Sequence, residues 1–159
     1  MRIRTEFLAA CTPHAAWRAL HDPRVAAALY APLLVMEPAA PFPERLTTGS
    51  RASVRLRAFG ILPVGSQEIR ITDVHSTDPG AWPRTMRDHG RPLSGPLTRL
   101  TGWRHEITIS PVPDAPHRAE WSDELHIDGP WARLFRPPLA LMWRWRGRKL
   151  RRLARDWSA

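Results

Sequence analysis

Trp103-Arg104-His105-Glu106-Ile107-Thr108-Ile109-Ser110, followed after a proline-rich loop by Arg118-Ala119-Glu120-Trp121-Ser122-Asp123-Glu124-Leu125-His126-Ile127, is the stretch on which the fold turns. In the first segment Trp103, His105, Ile107 and Ile109 face one way and the polar residues between them the other. In the second, Ala119, Trp121, Asp123, Leu125 and Ile127 oppose Arg118, Glu120, Ser122, Glu124 and His126. A period of two marks strands with one buried and one wet face, as antiparallel sheets have. Joined as a hairpin with Ile109 opposite Ala119, the two strands would set His105 directly across from Asp123.

His105 and Asp123 are the informative breaks in that pattern, because both sit on the apolar face. An imidazole and a carboxylate in apolar surroundings should pair, since either alone would lose its hydration uncompensated. The pair can serve structure, by fixing strand register. It can equally serve chemistry, as a general base held by its orienting acid, and the sequence leaves both open.

Outward from this hairpin, Arg2 to Leu8 alternates Ile3, Thr5 and Phe7 against Arg2, Arg4 and Glu6. Gly49 to Phe59 alternates Ala52, Val54, Leu56 and Ala58 against Arg51, Ser53, Arg55 and Arg57, and Ser66 to Val74 carries Ile69 and Ile71 on its apolar side. These predict strands, and Arg84 to Asp88, centred on Met86, predicts a short one. Thr12-Pro13 and Asp22-Pro23 each join a capping residue to a proline at the first helical position, where the missing donor would be orphaned anyway. They predict two short helices, the first with Trp17 and Leu20 on one face, the second running to Leu29. The stretch from Pro32 to about Thr48 reads as loop and Gly60 to Gly65 as turn. Pro130 opens a last helix, which Pro137-Pro138 should kink or restart because two interior donors are lost. Beyond it Trp143, Arg146, Leu150, Leu153 and Trp157 recur at helical spacing. Alternating strands need their greasy face covered, and a single long helix is left to cover it. The expectation is one α+β domain over 1–159.

Composition narrows the function. Hydrophobic residues make up 43% of the 159, which suits a globular chain. The net charge of +9 invites a nucleic-acid or anionic-membrane reading, but residues 142–159 carry +6 of it. Arg144 to Arg155 could bind anionic headgroups or nucleic acid, or form a solvated helix face; nucleic acid is the less expected partner. The single cysteine, Cys11, excludes an internal disulfide and a thiolate zinc cluster, and reads as a small semi-buried residue. His14, His21, His75, His89, His117 and His126 fall at loops, helix starts or outer faces, with no metal-ligand spacing. No metal and no cofactor are expected. A GxSxG elbow and a phosphate-cradling glycine loop are absent from the sequence. No apolar leader opens the chain and Pro137 to Trp143 is too short to span a bilayer, so the expected compartment is the cytoplasm.

The pattern Thr12-Pro13, Trp17, Leu20, Asp22-Pro23, then Gly49, then Asp88, Gly95-Pro96 and Trp103-Arg104-His105, then Asp123 and a final helix with Arg144, Arg148 and Leu153, resembles the START/Bet v 1-like helix-grip superfamily. That group is also called SRPBCC or polyketide cyclase/dehydrase. The resemblance covers essentially the whole chain. It implies a curved antiparallel sheet wrapped around the C-terminal helix, two short helices between the first and second strands, and a cavity for a lipid, aromatic or polyketide-like ligand. Some members cyclise or dehydrate what they hold, and the superfamily shares no universal catalytic residue, so a cavity carries over and a reaction does not. The candidate wall is Trp103, Ile107, Trp121, Leu125, Met86 and Trp143, with His105 and Asp123 as candidate catalytic groups; the same tryptophans could simply fill the core. Arg146, inside the apolar stripe of the last helix, could hold a ligand's carboxylate or phenolate, or run its stem outward into water, the commoner habit.

Overall fold

The computed structural model describes residues 1–74 and 80–157; His75 lies outside them. The chain runs β1 (Arg2–Ala9), α1 (Pro13–Leu20), α2 (Pro23–Tyr30), β2 (Leu34–Pro38), β3 (Arg51–Ala58), β4 (Leu62–Val74), β5 (Arg84–Asp88), β6 (Pro92–Ser94), β7 (Gly102–Pro111), β8 (Ala119–Asp128) and α3 (Ala132–Leu153). The strands form one antiparallel sheet of eight in the order β1-β8-β7-β5-β4-β3-β2, with β6 beside β4. The sheet curves around α3, and α1 and α2 close the side between β1 and β2.

Both helix starts form as their capping chemistry requires. The Thr12 hydroxyl accepts the Ala15 N–H at 3.2 Å and the Asp22 carboxylate accepts the Arg24 N–H at 2.8 Å, each with proline next in sequence. Three expectations change. The stretch read as loop contains β2, which pairs with β3 with Met36 opposite Leu56. Its residues Leu34, Val35 and Met36 are consecutive and all half-buried, so no alternation marks the strand. The turn expected over Gly60 to Gly65 is shorter, and β4 already begins at Leu62. Finally, α3 runs unbroken through Pro137 and Pro138. The carbonyls that lose their donors belong to Arg133 and Leu134, both exposed, so water satisfies them.

The β7–β8 register differs from expectation by two residues. Pro111, at the strand end where it owes no donor, lies opposite Ala119, Ile107 opposite Asp123 and His105 opposite Leu125. An even slip keeps every side chain on its face, so His105 and Asp123 meet as diagonal neighbours on the inner side.

The core falls into two clusters. One gathers Phe7, Cys11, Ala16, Ile109, Trp121, Leu150 and Ala154; the other gathers Ile3, Leu125, Ile127, Leu139 and Trp143. Cys11 is thus fully enclosed rather than semi-buried, and burial pushes its thiol up, away from the reactive thiolate. Along β8 the boundary between the clusters is Asp123; along α3 it is Arg146. The approach of α3 to the sheet is set by Gly147, where a Cβ would stand 2.9 Å from Thr5 Cγ2. Thr5 is the β1 partner of Asp123, so this contact lowers Arg146 onto the carboxylate.

Gly147→Ala should therefore destabilise the fold by about 1–2 kcal/mol through overpacking, despite the better helix propensity of alanine. In a Thr5→Ser background, which removes the opposing methyl, the same change should stabilise by up to about 1 kcal/mol. Denaturant unfolding of the four proteins in this cycle checks the sign reversal.

Candidate functional site

Between α2, α3 and the inner faces of β3, β4, β5 and β7 lies a cavity of about 340 Å³. Its wall is almost entirely hydrocarbon: Leu29 and Val25 from α2, Val54 and Leu56 from β3, Ile69 and Ile71 from β4, Leu139 and Met142 from α3. The expected wall residues Met86, Trp103, Ile107, Trp121 and Trp143 all line it, as do His105 and Arg146. Leu125 and Asp123 stand behind it: Leu125 is packed in the second core cluster, and Asp123 supports the polar groups from below. A cavity of this size falls within the range that small-molecule pockets occupy.

The polar part of the wall is a compact charged cluster on a dry base. His105, Asp123 and Arg146 are 7%, 3% and 2% exposed. Asp123 Oδ1 accepts from His105 Nε2 at 2.7 Å and from Trp143 Nε1 at 2.8 Å, while Oδ2 faces Arg146 Nη2 at 3.1 Å. The short contact to a carboxylate requires the proton on His105 Nε2, which fixes the tautomer of the neutral ring. Arg146 Nη1, 3.3 Å from the same nitrogen, then cannot donate to it, and the arginine's acceptor is Asp123. His105 Nδ1 has no hydrogen-bond partner among the described residues.

Arg146 does not snorkel. Its side chain turns inward, with the guanidinium 4.5 Å from the centre of the Tyr30 ring and 4.8 Å from that of Trp143. Two aromatic faces and one carboxylate compensate its lost hydration. The carboxylate also matches the charge of Arg146 within the protein. Burial alone would raise the Asp123 carboxyl, but the charges of Arg146 and His105, with the hydrogen bonds from His105 and Trp143, outweigh it and hold the group below the ordinary carboxylate range.

Three further polar residues line the cavity that alternation did not single out as site residues: Gln67 of β4, Tyr30 and Asp88. Tyr30 ends α2, and its hydroxyl is pushed up to about 12, by burial first, against the pull of Arg146. Asp88 ends β5 directly opposite His105. Burial raises its carboxyl although Oδ1 accepts the N–H groups of Arg70 and Gly90, each at 2.9 Å. The signal available for Asp88 was its position before the His89-Gly90 turn, since a carboxylate there can cap two backbone donors. Three of the lining residues carry a buried donor with no partner among the described residues: Trp103 Nε1, Trp121 Nε1 and Arg146 Nε.

The other histidines correct one expectation. His21 is not superficial: it is 3% exposed, with Nδ1 2.8 Å from the Trp17 carbonyl and Nε2 3.0 Å from Asp73, joining the α1–α2 corner to β4. On the outer sheet face the ligating atoms of Glu106, Glu124 and His126 lie within 4.8 Å of one another. Glu106 takes Arg87 at 2.5 Å and Glu124 takes Arg2, so the group reads as an ion-pair ladder across β5, β7, β8 and β1. Among the described residues no helix is long and apolar enough to cross a membrane.

No protein-family model and no curated protein matches the chain. Solved structures do. Protein CV1439 from Chromobacterium violaceum superposes with a TM-score of 0.69 at 18% identity over 97% of both chains. A hypothetical protein, jhp0584, from Helicobacter pylori gives 0.71 at 11% identity over 98% of this chain and 88% of that one. DynU16, described as a putative protein in the dynemicin biosynthetic locus, gives 0.54 at 18% identity, with 95% of this chain matching 46% of that longer one. At such identities the likeness is one of fold.

Asp123→Asn should cost about 3–5 kcal/mol near neutral pH, because the Arg146 cation is left buried without its anion. With its folded pKa depressed, Asp123 contributes fully above the unfolded value of about 3.9 and loses that contribution as pH falls through the folded value. The gap between wild type and variant should close in acid, as thermal melts across pH will show.

Proposed function

We propose that this chain belongs to the helix-grip superfamily and holds a small, largely apolar, uncharged molecule of lipid, aromatic or polyketide-like character between its sheet and α3. The observation that carries the reading is a hydrocarbon-walled cavity of about 340 Å³ in which four polar residues, Tyr30, Asp88, His105 and Arg146, lie close together, with Gln67 a further polar residue of the wall. A greasy body gains from leaving water, and a few convergent polar groups orient it. The charge state favours a neutral guest. Arg146 is matched by Asp123, so a carboxylate entering the cavity would meet no uncompensated cation. The unpartnered donors on the lining residues Trp103, Trp121 and Arg146 instead favour a guest that brings a carbonyl, ether or hydroxyl oxygen. A buried donor without an acceptor costs about 1–3 kcal/mol, which an accepting oxygen would relieve. Fold kinship with a putative protein of a biosynthetic locus is in keeping with such a guest.

Native mass spectrometry of protein from its own host should reveal a co-purifying neutral mass. Met86→Trp, which places a larger ring in the cavity, should weaken binding of that molecule, or of the neutral fluorophore phenylnaphthylamine, more than about tenfold. Its melting temperature should stay near that of wild type. Undiminished binding by a stably folded Met86→Trp would place the guest elsewhere.

A second reading, a cyclase or dehydratase, rests on one feature: His105 is anchored through Nε2 to Asp123 while Nδ1 has no hydrogen-bond partner among the described residues. Such a ring can take a proton from a bound substrate while Asp123 steadies the resulting charge. His105→Gln should then abolish turnover of the co-purified molecule and retain its binding. Turnover that persists in that variant removes His105 from any chemistry.

A further inference from the structure

Large apolar side chains crowd the apex of the β3–β4 hairpin: Phe59, Ile61 and Leu62 are 67%, 79% and 59% exposed. The turn is closed by the Ile61 N–H donating to the Ala58 carbonyl at 3.1 Å, and its two central residues have positive φ, +52° at Phe59 and +75° at Gly60. Turns of this hand select Asn, Asp or Gly, because in left-handed backbone a Cβ crowds the neighbouring carbonyl. Phenylalanine is a strained choice for that position, and it leaves a large ring in water. Both penalties fall on one residue and neither helps the chain fold, the pattern expected where local strain serves a contact.

The apex leans on the 31–33 connector, where the Phe59 N–H donates to the Leu33 carbonyl at 3.0 Å. From the other side α3 grips the same connector: Trp145 Nε1 and Lys149 Nζ reach the Ala31 carbonyl at 3.3 and 2.6 Å. Beside those two side chains on α3, Arg144, Arg148 and Arg152 recur every four residues, which stacks them along the helix. All three are exposed, and none makes an ion pair among the described residues. Apolar apex and unpaired cations thus flank one short connector.

We infer that the hairpin apex and the Arg144–Arg148–Arg152 stripe form a docking surface for an anionic lipid bilayer, the apex entering the interface while the arginines meet the headgroups. Three side chains on a hairpin tip fall far short of the roughly 800 Å² per partner that a stable protein interface needs, whereas a bilayer accepts a narrow apolar wedge ringed by cations. Each arginine near an anionic surface adds attraction that a zwitterionic surface does not supply. Ala58 and Val64, on either side of the apex, line the cavity, so a docked bilayer lies against that end of it. The inference stands apart from cavity binding, since it rests on none of the polar groups there.

Co-sedimentation with vesicles of equimolar phosphatidylglycerol and phosphatidylcholine, against phosphatidylcholine alone, tests it. Wild type should bind the anionic vesicles only, and less as salt rises. Phe59→Asn with Ile61→Ser and Leu62→Ser should weaken vesicle binding more than about tenfold. That variant's melting temperature should hold or rise, since asparagine suits left-handed backbone, and its phenylnaphthylamine binding should be unchanged. Replacing the three arginines by serine should also weaken binding and flatten its salt dependence. Wild type that ignores anionic vesicles, an apex variant that binds them undiminished, or apex-dependent self-association in sedimentation velocity would each overturn the inference.

Discussion

The Asp123 carboxylate is the constraint on which the rest depends. It lies in the dry interior between two hydrophobic clusters, and it is tolerable there because three donors converge on it, one from β7 and two from α3. Against a hydrophobic substitute of similar shape such a group gains little net stability. What it supplies is direction. Tryptophans and leucines would let α3 slide or roll along the sheet at small cost, since their contacts have no preferred angle. A carboxylate that must meet Arg146 and Trp143 together, with Gly147 seated over Thr5, fixes both the rotation and the height of the helix. The cavity beneath α3 inherits its shape from that fix.

Much of this arrangement was legible in the chain. The strict alternation of residues 103–110 and 118–127 identified the sheet, its inner face and the two polar residues on that face, because a period of two has few other physical meanings. Proline-led caps identified α1 and α2 for the same reason. Where the reading failed, the missing information was non-local. Strand β2 is half-buried on both sides and so shows no alternation; it is a strand because β3 offers it an edge. The inward turn of Arg146 depends on a carboxylate on β8 and a tyrosine on α2, neither of which helical spacing can report. His21 is drawn inside by Asp73, fifty-two residues away. The hairpin register slipped by two because Pro111 extends β7 past the point where proline usually stops a strand, and the even step preserved the faces on which the site argument stood.

The distribution of charge separates two roles that the bare net value merges. On the outer sheet face arginines are interleaved with glutamates and largely neutralised, as in Arg2 with Glu124 and Arg87 with Glu106. Inside, one arginine is matched by one aspartate. The unspent positive charge is left on the solvent side of α3, so the field of the protein is polarised toward that helix.

Pro137 and Pro138 give α3 two mechanical characters. Without their N–H groups the helix loses two successive backbone bonds between its first turn and the turn that follows. The segment after Pro138, which carries Leu139 and Met142 in the cavity wall, is bolted to the sheet by Trp143, Arg146 and Gly147, whereas the first turn, which contributes Phe135 to that wall, joins the rest through a thinned ladder. Compliance in that wall is therefore concentrated in a single place along the backbone, and the roof above the void can yield there while its far end keeps its bearing.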